Sequence, residues 1–382
     1  MTSWKTYKVG DIIDEIAMGP FGSNIKVDNF IDFGVPVLNG ANLQGFKLKE
    51  ESFNYVSLQK ADSLGKANAY RGDIVITHRG TLGQIVYIPQ NSKFERYVIS
   101  QSQFRIKLNP KFVLPEYFVY YFHTRLGQLK LLMNASQVGV PALARPTSTF
   151  KNITIELPSL EEQRRIAGIL GAIDDKIENN RRINTNLELQ AQALYKQWFV
   201  DNRSEDWETL TLDDVAAISA GGDKPQVCSE QKTQECNIPI YSNSIDREGL
   251  YGYTNNPRII ENSITISARG TIGYVCLRTE PYVPIVRLIS VIPTHDNMSA
   301  YFLYLWALTQ NISGTGTTQQ QLTVPAFRTT KIVVPSQEIL IKFNKVVKPI
   351  FDSIKQYKKE NITLATLRDT LLPKLMNGEI KI

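Results

Sequence analysis

The order of short motifs in the first half of this 382-residue chain recurs in the second half. Residues 74–89 (IVITHRGTLGQIVYIP) correspond to 264–279 (ITISARGTIGYVCLRT), and 117–122 (YFVYYF) correspond to 301–306 (YFLYLW). In both copies a Pro-Ser pair then leads into a long helical pattern. The repeat therefore predicts two similar globular modules, each followed by a helix, so that one chain can meet two similar surfaces.

The spacing between the two copies shows where they differ. The offset is 203 residues at Trp4 and Trp207, 190 at Arg79 and Arg269, and a constant 177 through the helices. Loops tolerate insertions and commonly carry recognition residues, whereas a packed helix cannot lose a residue without rotating its apolar face. The modules thus differ in their loops on a shared frame, as expected for a protein that reads two different targets.

The charge distribution permits a nucleic-acid partner without requiring one. The net charge is +6; residues 1–156 contain 18 Lys and Arg against 12 Asp and Glu, and residues 207–334 contain 9 against 11. The second module would therefore need a local basic face to bind DNA. The arginines that could supply that face are Arg247, Arg258, Arg269, Arg278, Arg287 and Arg328.

Several classes of protein do not fit this composition. The chain is long enough, at 42% hydrophobic residues, to bury two cores. No apolar run approaches the roughly eighteen residues of a membrane span, and the N-terminus lacks the apolar segment of a signal peptide. The cysteines (Cys228, Cys236 and Cys276) and the scattered histidines suggest neither a disulfide framework nor a metal site. We therefore expect a soluble, intracellular protein with no membrane partner and no metal.

Each module is predicted to combine strands and helices. Residues 74–77 and 84–88 are short β-branched runs separated by a glycine-containing turn, which is the pattern of a hairpin, and 263–277 repeat it. Residues 115–132 show one apolar helical period that opens with proline, and 299–308 are the counterpart. Because no strand-helix alternation indicates a doubly wound parallel sheet, the predicted class is α+β.

Two long helices are the clearest structural prediction. Between Glu161 and about Phe199, seam residues recur at alternating spacings of four and three, and the pattern recurs 177 residues later. Such heptads are typical of coiled coils. At about 1.5 Å per residue, forty residues would reach about 60 Å, more than one small domain needs. The predicted seam residues are Ile166, Leu170, Ile173, Ile177, Asn184, Leu187, Leu194, Phe343, Val347, Ile350, Ile354, Asn361, Leu364 and Leu371.

Polar residues interrupt this seam. Asn184 and Asn361 occupy the same seam position in the two copies, and Asn180 and Arg368 are further interruptions. A polar seam residue costs stability but fixes the register of paired helices. The alternative is that each helix only packs on its own module. The helix length favours the paired coiled coil.

Several motifs together resemble one known family. In order along the chain they are the Pro20-Phe21-Gly22-Ser23 loop, the Arg-Gly-Thr hairpins, LPSLEEQRRIAGIL (157–170), ALYKQWFVD (193–201) and LLPKLMNGEI (371–380). This set looks like the specificity subunit of type I restriction-modification enzymes, and the resemblance spans the whole chain. It divides the chain into a first target-recognition domain (1–156), a central spacer helix (157–202), a second target-recognition domain (203–334) and a C-terminal spacer helix (335–382). The resemblance further implies that the two helices form an antiparallel coiled coil that joins the two α/β domains with pseudo-two-fold symmetry.

The resemblance implies a function for the whole assembly. It implies a cytoplasmic, prokaryotic, non-catalytic subunit that directs two methyltransferase subunits and, through the complex, restriction and translocase subunits to a bipartite site on double-stranded DNA. S-adenosylmethionine, ATP and Mg²⁺ would be bound by those partners. The second helix lacks the Glu-Gln-Arg-Arg of the first (162–165) and its Trp-Phe pair (198–199), so the two methyltransferase contacts are expected to be unequal.

The residues themselves show no catalytic motif. An amino-methyltransferase needs an Asn/Asp-Pro-Pro-aromatic loop, and the nearest sequences, 109–111 and 256–258, lack the second proline. We find neither the acidic-Lys set of a metal-dependent nuclease nor the Gly-x-x-x-x-Gly-Lys-Ser/Thr phosphate-binding loop. The chain is therefore expected to bind no cofactor and to leave the chemistry to partners. A protein-protein scaffold that uses only the coiled coil is the alternative function.

Polar side chains on predicted loops of the modules are the candidates for DNA contact. Arginine suits O6 and N7 of guanine, glutamine and asparagine suit N6 and N7 of adenine, and lysine mostly contacts phosphate. The candidates are Asn24, Lys26, Arg79, Thr81, Gln84, Gln101, Gln103, Ser136 and Gln137 in the first module, and Lys224, Arg269, Thr271, Gln319, Gln320 and Gln321 in the second.

Structural roles compete with base reading at these positions. Arg-Gly-Thr recurs in both modules, whereas modules that read different sequences should differ where they contact bases. Arg79 and Arg269 are therefore expected to position phosphate or brace the turn. The run 319–321 is equally well explained as a solvated loop. Trp4 and Trp207 are expected to pack in the cores, since each opens a module beside alternating apolar residues.

Overall fold

The computed structural model describes residues 4–136, 139–314 and 321–382. It divides into two compact units: unit 1 consists of Met1–Glu178 with Asn361–Ile382, and unit 2 consists of Asn179–Glu360. Each unit contains one module and a part of each long helix. Unit 1 is therefore discontinuous in sequence, and unit 2 is contiguous.

The first module is built from short strands and four helices before the long one. Its strands are β1 (Lys5–Lys8), β2 (Ile13–Met18), β3 (Phe30–Ile31), β4 (Val35–Val37), β5 (Asn54–Val56), β6 (Asn68–Tyr70), β7 (Ile74–Thr77), β8 (Ile85–Tyr87), β9 (Arg96–Val98), β10 (Gln103–Leu108), β11 (Ala135–Ser136), β12 (Ala142–Leu143) and β13 (Thr154–Leu157). Its helices are α1 (Leu58–Ser63), α2 (Pro115–His123), α3 (Arg125–Leu132) and α4 (Pro146–Lys151), and the long helix α5 spans Leu160–Tyr195.

The central sheet of the first module has four antiparallel strands in the order β2-β10-β7-β8. Ile74 and Ile76 of β7 face the aromatic helix α2, and Val75 of the same strand faces the opposite side, where Tyr97 lies. Alternation of side chains along a strand thus gives two cores, one on each face. A five-stranded sheet, β3-β5-β4-β9-β6, covers the second face, and β1 pairs with β13.

The second module follows the same plan with fewer strands. Its strands are β14 (Glu208–Thr211), β15 (Ala216–Ala220), β16 (Ile238–Tyr241), β17 (Leu250–Thr254), β18 (Ser263–Ile266), β19 (Val275–Arg278), β20 (Val283–Pro284), β21 (Ile289–Pro293) and β22 (Lys331–Val334). Its helices are α6 (Leu212–Val215), α7 (Ala300–Leu308) and α8 (Val324–Arg328), and the last long helix, α9, spans Gln337–Met376.

The central sheet of the second module repeats the order of the first. Its four strands run β15-β21-β18-β19, all antiparallel, and β14 pairs with β22 as β1 pairs with β13. The covering sheet is shorter and has three strands, β17-β16-β20. The sequence repeat is therefore a repeat of topology, and the main difference lies in the covering sheet.

The two long helices pair in opposite directions within each unit. In unit 1, Arg368 Nη1 donates to Asp174 Oδ1 at 2.8 Å, and Asn361 Nδ2 donates to the Ile177 carbonyl at 3.3 Å. In unit 2, Asn180 Nδ2 donates to Glu360 Oε2 at 2.9 Å. Residue numbers rise along one helix as they fall along the other, so the helices are antiparallel.

The seam predicted from the heptads faces inward. Ile166, Leu170, Ile177, Phe343, Val347 and Ile354 are buried, and Ile173, Asn184, Leu187, Leu194, Ile350, Asn361, Leu364 and Leu371 are half-buried. The predicted α+β class with two repeated modules and two long antiparallel helices is confirmed. Trp207 packs against Phe199 in the core of unit 2, with ring centroids 5.8 Å apart.

One helix prediction needs correction and another is confirmed. The single helix expected over 115–132 is two helices, because Thr124 is extended and its hydroxyl caps α3 by accepting from Gly127 N. A side chain at Gly127 would meet the Tyr121 carbonyl at 2.2 Å, so the two helices approach closely there. The helix expected to reach about Phe199 is confirmed: α5 extends to Tyr195, and the chain stays helical as a π-helical turn over Lys196–Asp201.

Candidate nucleic-acid interface

Three loops of the first module meet at one edge of its central sheet. Because the strands are antiparallel, β2 and β7 end at the edge where β8 and β10 begin; Met18 pairs with Phe104, and Thr77 with Gln103. The loops 19–24, 78–84 and 100–102 therefore lie together. We call these residues the first loop edge.

Hydrogen bonds hold these loops against one another. Gly19 N donates to the Gln103 carbonyl at 2.8 Å, and His78 N donates to the Ser102 carbonyl at 2.9 Å. A Cβ on Gly19 would lie 1.9 Å from the Ser100 carbonyl, so only glycine fits. The His78 ring is bonded through Nε2 to the Gln101 carbonyl at 3.1 Å, and burial lowers the pKa of His78. The ring therefore favours the neutral form at the base of the hairpin.

Two glutamines predicted to contact DNA have structural roles instead. Gln103 is only 1% exposed, and its Oε1 accepts from Ser100 N at 2.9 Å. Gln84 is half-buried; its Oε1 accepts from Thr77 Oγ1 and its Nε2 donates to the Gly40 carbonyl, both at 2.9 Å. Both amides brace the loops; Gln103 is too buried to reach a base, and Gln84 is committed to two hydrogen bonds within the module.

The other described candidates of the first module are exposed. Asn24, Lys26, Arg79, Thr81, Gln101 and Ser136 all reach solvent. Ser136 lies in β11 opposite Ala142, and Arg79 forms a backbone bridge to the same residue, so this strand pair adjoins the hairpin. Gln101 lies against Gly22, where a Cβ would meet its Oε1 at 2.2 Å. Gln137 lies outside the described residues.

The second module forms the corresponding edge. Ala220 at the end of β15 and Ile266 at the end of β18 both pair with Ile289 at the start of β21, and Ile266 also pairs with Val275 at the start of β19. The loops 221–224, 267–274 and 285–288 consequently converge. We call these residues the second loop edge.

The candidates of the second module include a bonded pair. Arg269 Nη2 donates to Gln321 Oε1 at 3.1 Å, and the next residue, Leu322, bonds to the Ala268 carbonyl at 3.0 Å. Arg269 thus braces the hairpin against the segment that follows residue 320. Thr271 is exposed at the hairpin tip. Gln319 and Gln320 lie outside the described residues.

Four cationic side chains gather at the second loop edge although the module as a whole is acidic. Lys224, Arg258, Arg269 and Arg287 are all exposed, and the Arg258 guanidinium reaches Gly222, where a Cβ would lie 2.7 Å from Nη1. The Lys224 ammonium lies 5.2 Å from the centroid of the Tyr251 ring, and a hydrogen bond with that phenol raises its pKa. These four cations outnumber Asp223, the exposed carboxylate of the same loops, so the edge has a local excess of positive charge.

The other arginines proposed for that face have different positions. Arg278 has a side chain only 4% exposed, donates to Thr265 Oγ1 at 2.9 Å and stacks 3.6 Å above the Tyr241 ring. Arg328 is bonded to the Ile218 carbonyl at 3.1 Å and lies 3.3 Å from Asp213. Arg247 lies beside Glu248, which bonds to Lys358 of α9. These three do not belong to the second loop edge.

Phe21 and Val286 in the loop edges were not among the sequence candidates, and Arg287 was proposed only as one of the arginines of a basic face. Phe21 is 82% exposed in the first loop edge, inside a motif that the family resemblance had already marked. Val286 and Arg287 are exposed in the second loop edge. Valine and arginine carry no turn preference, so no sequence signal placed a turn there.

Neither a metal cluster nor a membrane-spanning helix occurs in the part of the chain that the structure describes. No group of three or more His, Cys, Asp or Glu side chains in residues 4–136, 139–314 and 321–382 could hold a metal ion. Over the same residues, no helix is both long enough and apolar enough to cross a membrane.

The repeated modules match a known family over most of the chain. The family described as "Type I restriction modification DNA specificity domain" matches residues 1–189 and 204–369. The MjaIX specificity subunit of the type I restriction enzyme of Methanocaldococcus jannaschii is 28% identical over 99% of this chain and 94% of its own length. The HindI specificity subunit of Haemophilus influenzae is 26% identical over 100% of both chains.

A solved structure shares the fold. The type I restriction-modification S subunit from M. genitalium superposes with a TM-score of 0.61 at 17% identity, covering 98% of this chain and 96% of that one. The two-fold repeat of module and helix is thus found both in the sequence matches and in the shared fold. On this evidence the chain belongs to the family of type I restriction-modification DNA specificity subunits.

Proposed function

We propose that each loop edge reads one half of a bipartite sequence in double-stranded DNA, and that the chain performs no catalysis. The single observation that carries the proposal is the equivalence of the two loop edges. The same strand order presents three loops at the same edge of both central sheets. Apart from the Arg-Gly-Thr that both hairpins share, the exposed side chains on those loops differ between the modules, as two different half-sites require.

The charges on these edges suit a division between positioning and reading. Arg79 at the first edge, Lys26 just beyond it, and Lys224, Arg258 and Arg269 at the second edge can neutralise phosphates, which supplies affinity without sequence information. Amide and guanidinium groups such as those of Gln101 and Arg287 can bond to base edges in the major groove. Arg269, braced by Gln321, and Arg79, at the equivalent hairpin position, are assigned to phosphate.

The paired helices are proposed to space the half-sites and to dock two methyltransferase subunits, with restriction and translocase subunits joining through the complex. Their exposed faces carry charged residues together with apolar ones such as Leu189 and Ile362, which are 57% and 70% exposed and could contact a partner subunit. S-adenosylmethionine, ATP and Mg²⁺ are assigned to those partner subunits. The inequality of the two helix ends (198–199 against 375–376) supports unequal methyltransferase contacts.

Mapping methylated bases in the source genome, with and without this gene, tests the proposal. We expect one motif with two short, different halves separated by an unspecified spacer, and its complete loss in the deletion strain. If the deletion strain instead loses methylation at one continuous palindrome, the proposal that two unlike modules read two half-sites is contradicted. An unchanged methylation map, together with no salt-dependent binding of duplex DNA by the purified complex, would favour a scaffold that uses only the helices.

A further inference from the structure

A strained turn lies in the second loop edge. Val286 and Arg287 have φ angles of 53° and 62°, and Leu288 N donates to the Ile285 carbonyl at 3.0 Å. Two consecutive positive φ angles inside such a bond define the turn that normally contains Asn-Gly. A β-branched residue such as valine is a rare occupant of this region. The backbone is therefore strained at a place where glycine would remove the strain.

The surrounding structure holds this turn firmly. Val286 N donates to the Gly222 carbonyl and Arg287 N to the Gly221 carbonyl, both at 2.9 Å, and Asn243 Nδ2 donates to the Val286 carbonyl at 2.7 Å. A Cβ on Gly221 would lie 2.7 Å from Ile285 N, so the two loops are in close contact. Strained residues that their surroundings overdetermine cluster at functional sites, because the strain fixes a side chain in position.

The turn presents its two central side chains to solvent. Ile285 and Leu288 are buried at 1% and 2% exposure, whereas Val286 is 52% exposed and Arg287 is exposed. Among the described residues, no side chain forms an ion pair or hydrogen bond with the Arg287 guanidinium. The backbone of Arg287 is thus fixed, and its guanidinium remains available to a ligand.

The first module has an ordinary turn at the equivalent place. Gly221 N bonds to the Leu288 carbonyl as Gly19 N bonds to the Gln103 carbonyl, so Val286 and Arg287 correspond to Gln101 and Ser102. Neither Gln101 nor Ser102 has a positive φ. The turn therefore presents an amide at its first central position in the first module, and a guanidinium at its second central position, where the first module has Ser102, in the second.

We propose that Arg287 is a specificity-determining residue that reads a guanine in the second half-site. Its guanidinium donates two parallel hydrogen bonds to O6 and N7 of the base in the major groove. The Val286–Arg287 turn fixes the direction from which the side chain approaches. The inference rests on the proposed function of the loop edges, because it names one reading residue within them.

Methylation mapping of variants in the complete restriction-modification system tests this assignment. Arg287→Ala should make one position of the second half-site accept other bases, with discrimination reduced roughly 10- to 100-fold. Arg287→Lys keeps the charge but not the two parallel bonds, so it should relax the same position. The first half-site and the spacer should be unchanged in both variants.

A double variant separates reading from bracing. Val286→Asn with Arg287→Gly supplies the residues that this turn prefers, so the Tm of the chain should stay the same or rise. The motif should nevertheless relax as in Arg287→Ala. If the turn only braces the loops, the double variant will leave the motif intact.

Arg247→Ala is the matched control, since Arg247 is also exposed, also has a positive φ of 47°, and lies beside the Glu248 contact to α9. Its motif should equal that of the wild type. An unrelaxed motif in Arg287→Ala, or a uniform loss of methylation at all sequences as for a phosphate contact, overturns the inference. A wild-type system without a split motif would contradict the proposed function instead.

Discussion

Buried arginines stabilise the interior of both modules. Arg105 on β10 is 5% exposed and bonds to Asp73 at 3.1 Å and to Glu15 at 3.0 Å. Burial raises the pKa of Asp73, although the Tyr70 amide and Arg105 favour its charged form. Arg278 occupies a similar interior position in the second module through Thr265 and Tyr241. Both arginines form their bonds inside a module and cannot reach DNA. Contacts with DNA are therefore left to the exposed cations.

We expect Arg105→Ala to destabilise unit 1 by about 3–5 kcal/mol, because it leaves the Asp73 carboxyl buried without its cation. Urea denaturation of the full chain, followed by a probe in unit 1, measures the loss. Arg96→Ala is the control, since its partner Asp62 is 66% exposed and an exposed pair contributes at most about 1 kcal/mol. Equal losses in the two variants would show that the buried pair has no special role.

His123 should make unit 1 sensitive to acid. Burial lowers its pKa, while its Nε2 bonds to the Ile85 carbonyl at 2.9 Å. A histidine whose pKa is lower in the folded state stabilises the fold above the unfolded pKa, about 6.5, and loses that contribution as pH falls through the folded value. Tm should therefore fall between pH 7.5 and 5.5, and fall less in His123→Gln, which keeps the donor without the charge. An identical pH dependence in the two proteins would exclude His123 as the cause.

At single positions, the sequence predicted whether a residue lies in a loop or a strand better than it predicted whether its side chain is exposed or buried. Gln101 and Gln103 stand two residues apart in one polar run, yet the first is exposed and the second is buried at the start of β10. The exposure of each side chain depends on the residue at which β10 begins to pair with β7, and that residue is set by tertiary structure. The Val286–Arg287 turn was missed for a related reason, because contacts with Gly221 and Gly222 impose it against local preference.

The two long helices were predictable as elements because a heptad seam is a local pattern. The spacing between the two copies is constant, and apolar residues recur at heptad positions in both. This pattern predicted which face of each helix is buried, although it did not show what that face packs against. The break between α2 and α3 was not predicted, since apolar periodicity continues across Thr124. There the decisive features are the Thr124 cap and the close approach at Gly127.

Lengthening both helices at the boundary between the units should change the DNA spacer. Four residues inserted after Glu178 and four after Glu360 add about 6 Å and about 40° of rotation, which corresponds to about one or two base pairs. We expect a longer spacer and unchanged half-sites on methylation mapping. Insertion farther along α5 would instead disturb the hydrogen bond from Tyr304 to Glu188 inside unit 2.

Seven residues at the same two places are the control for the seam. One heptad keeps the apolar face aligned, so assembly should survive even if four residues abolish it. Altered half-site bases at an unchanged spacing, in either variant, would show that the helices take part in reading the sequence.

At the scale of the whole molecule, the two copies are alike in topology and unlike in their helix contacts. In unit 1 the Arg368 guanidinium bonds to Asp174 and lies 4.7 Å above the Phe46 ring. The residue of α5 that corresponds to Arg368, 177 positions earlier, is Ala191. The sequence predicted the repeat, but it did not show that each unit combines parts of both helices.

This difference bears on a fragment of residues 1–206, which contains one module and one helix. Two copies should pair their helices and form a symmetric dimer that, with methyltransferase subunits, reads a split palindrome of the first half-site. In that dimer Ala191 of the second copy takes the place of Arg368, so Asp174 lacks a cation. Ala191→Arg should therefore tighten dimerisation, as measured by sedimentation. A fragment that remains monomeric in both forms would show that the helices do not pair in this way.

The discontinuity of unit 1 also sets an order of events during synthesis. Its first 178 residues leave the ribosome early, but the part of α9 that buries Leu170 and pairs with Asp174 comes last. At typical elongation rates of about 5–20 residues per second, the intervening unit 2 delays that segment by about 10–40 s. Unit 2, being contiguous, can finish folding first. Unit 1 is thus begun before unit 2 and completed after it, and until then its apolar helix surface is open to chaperones or to the helix of another nascent chain.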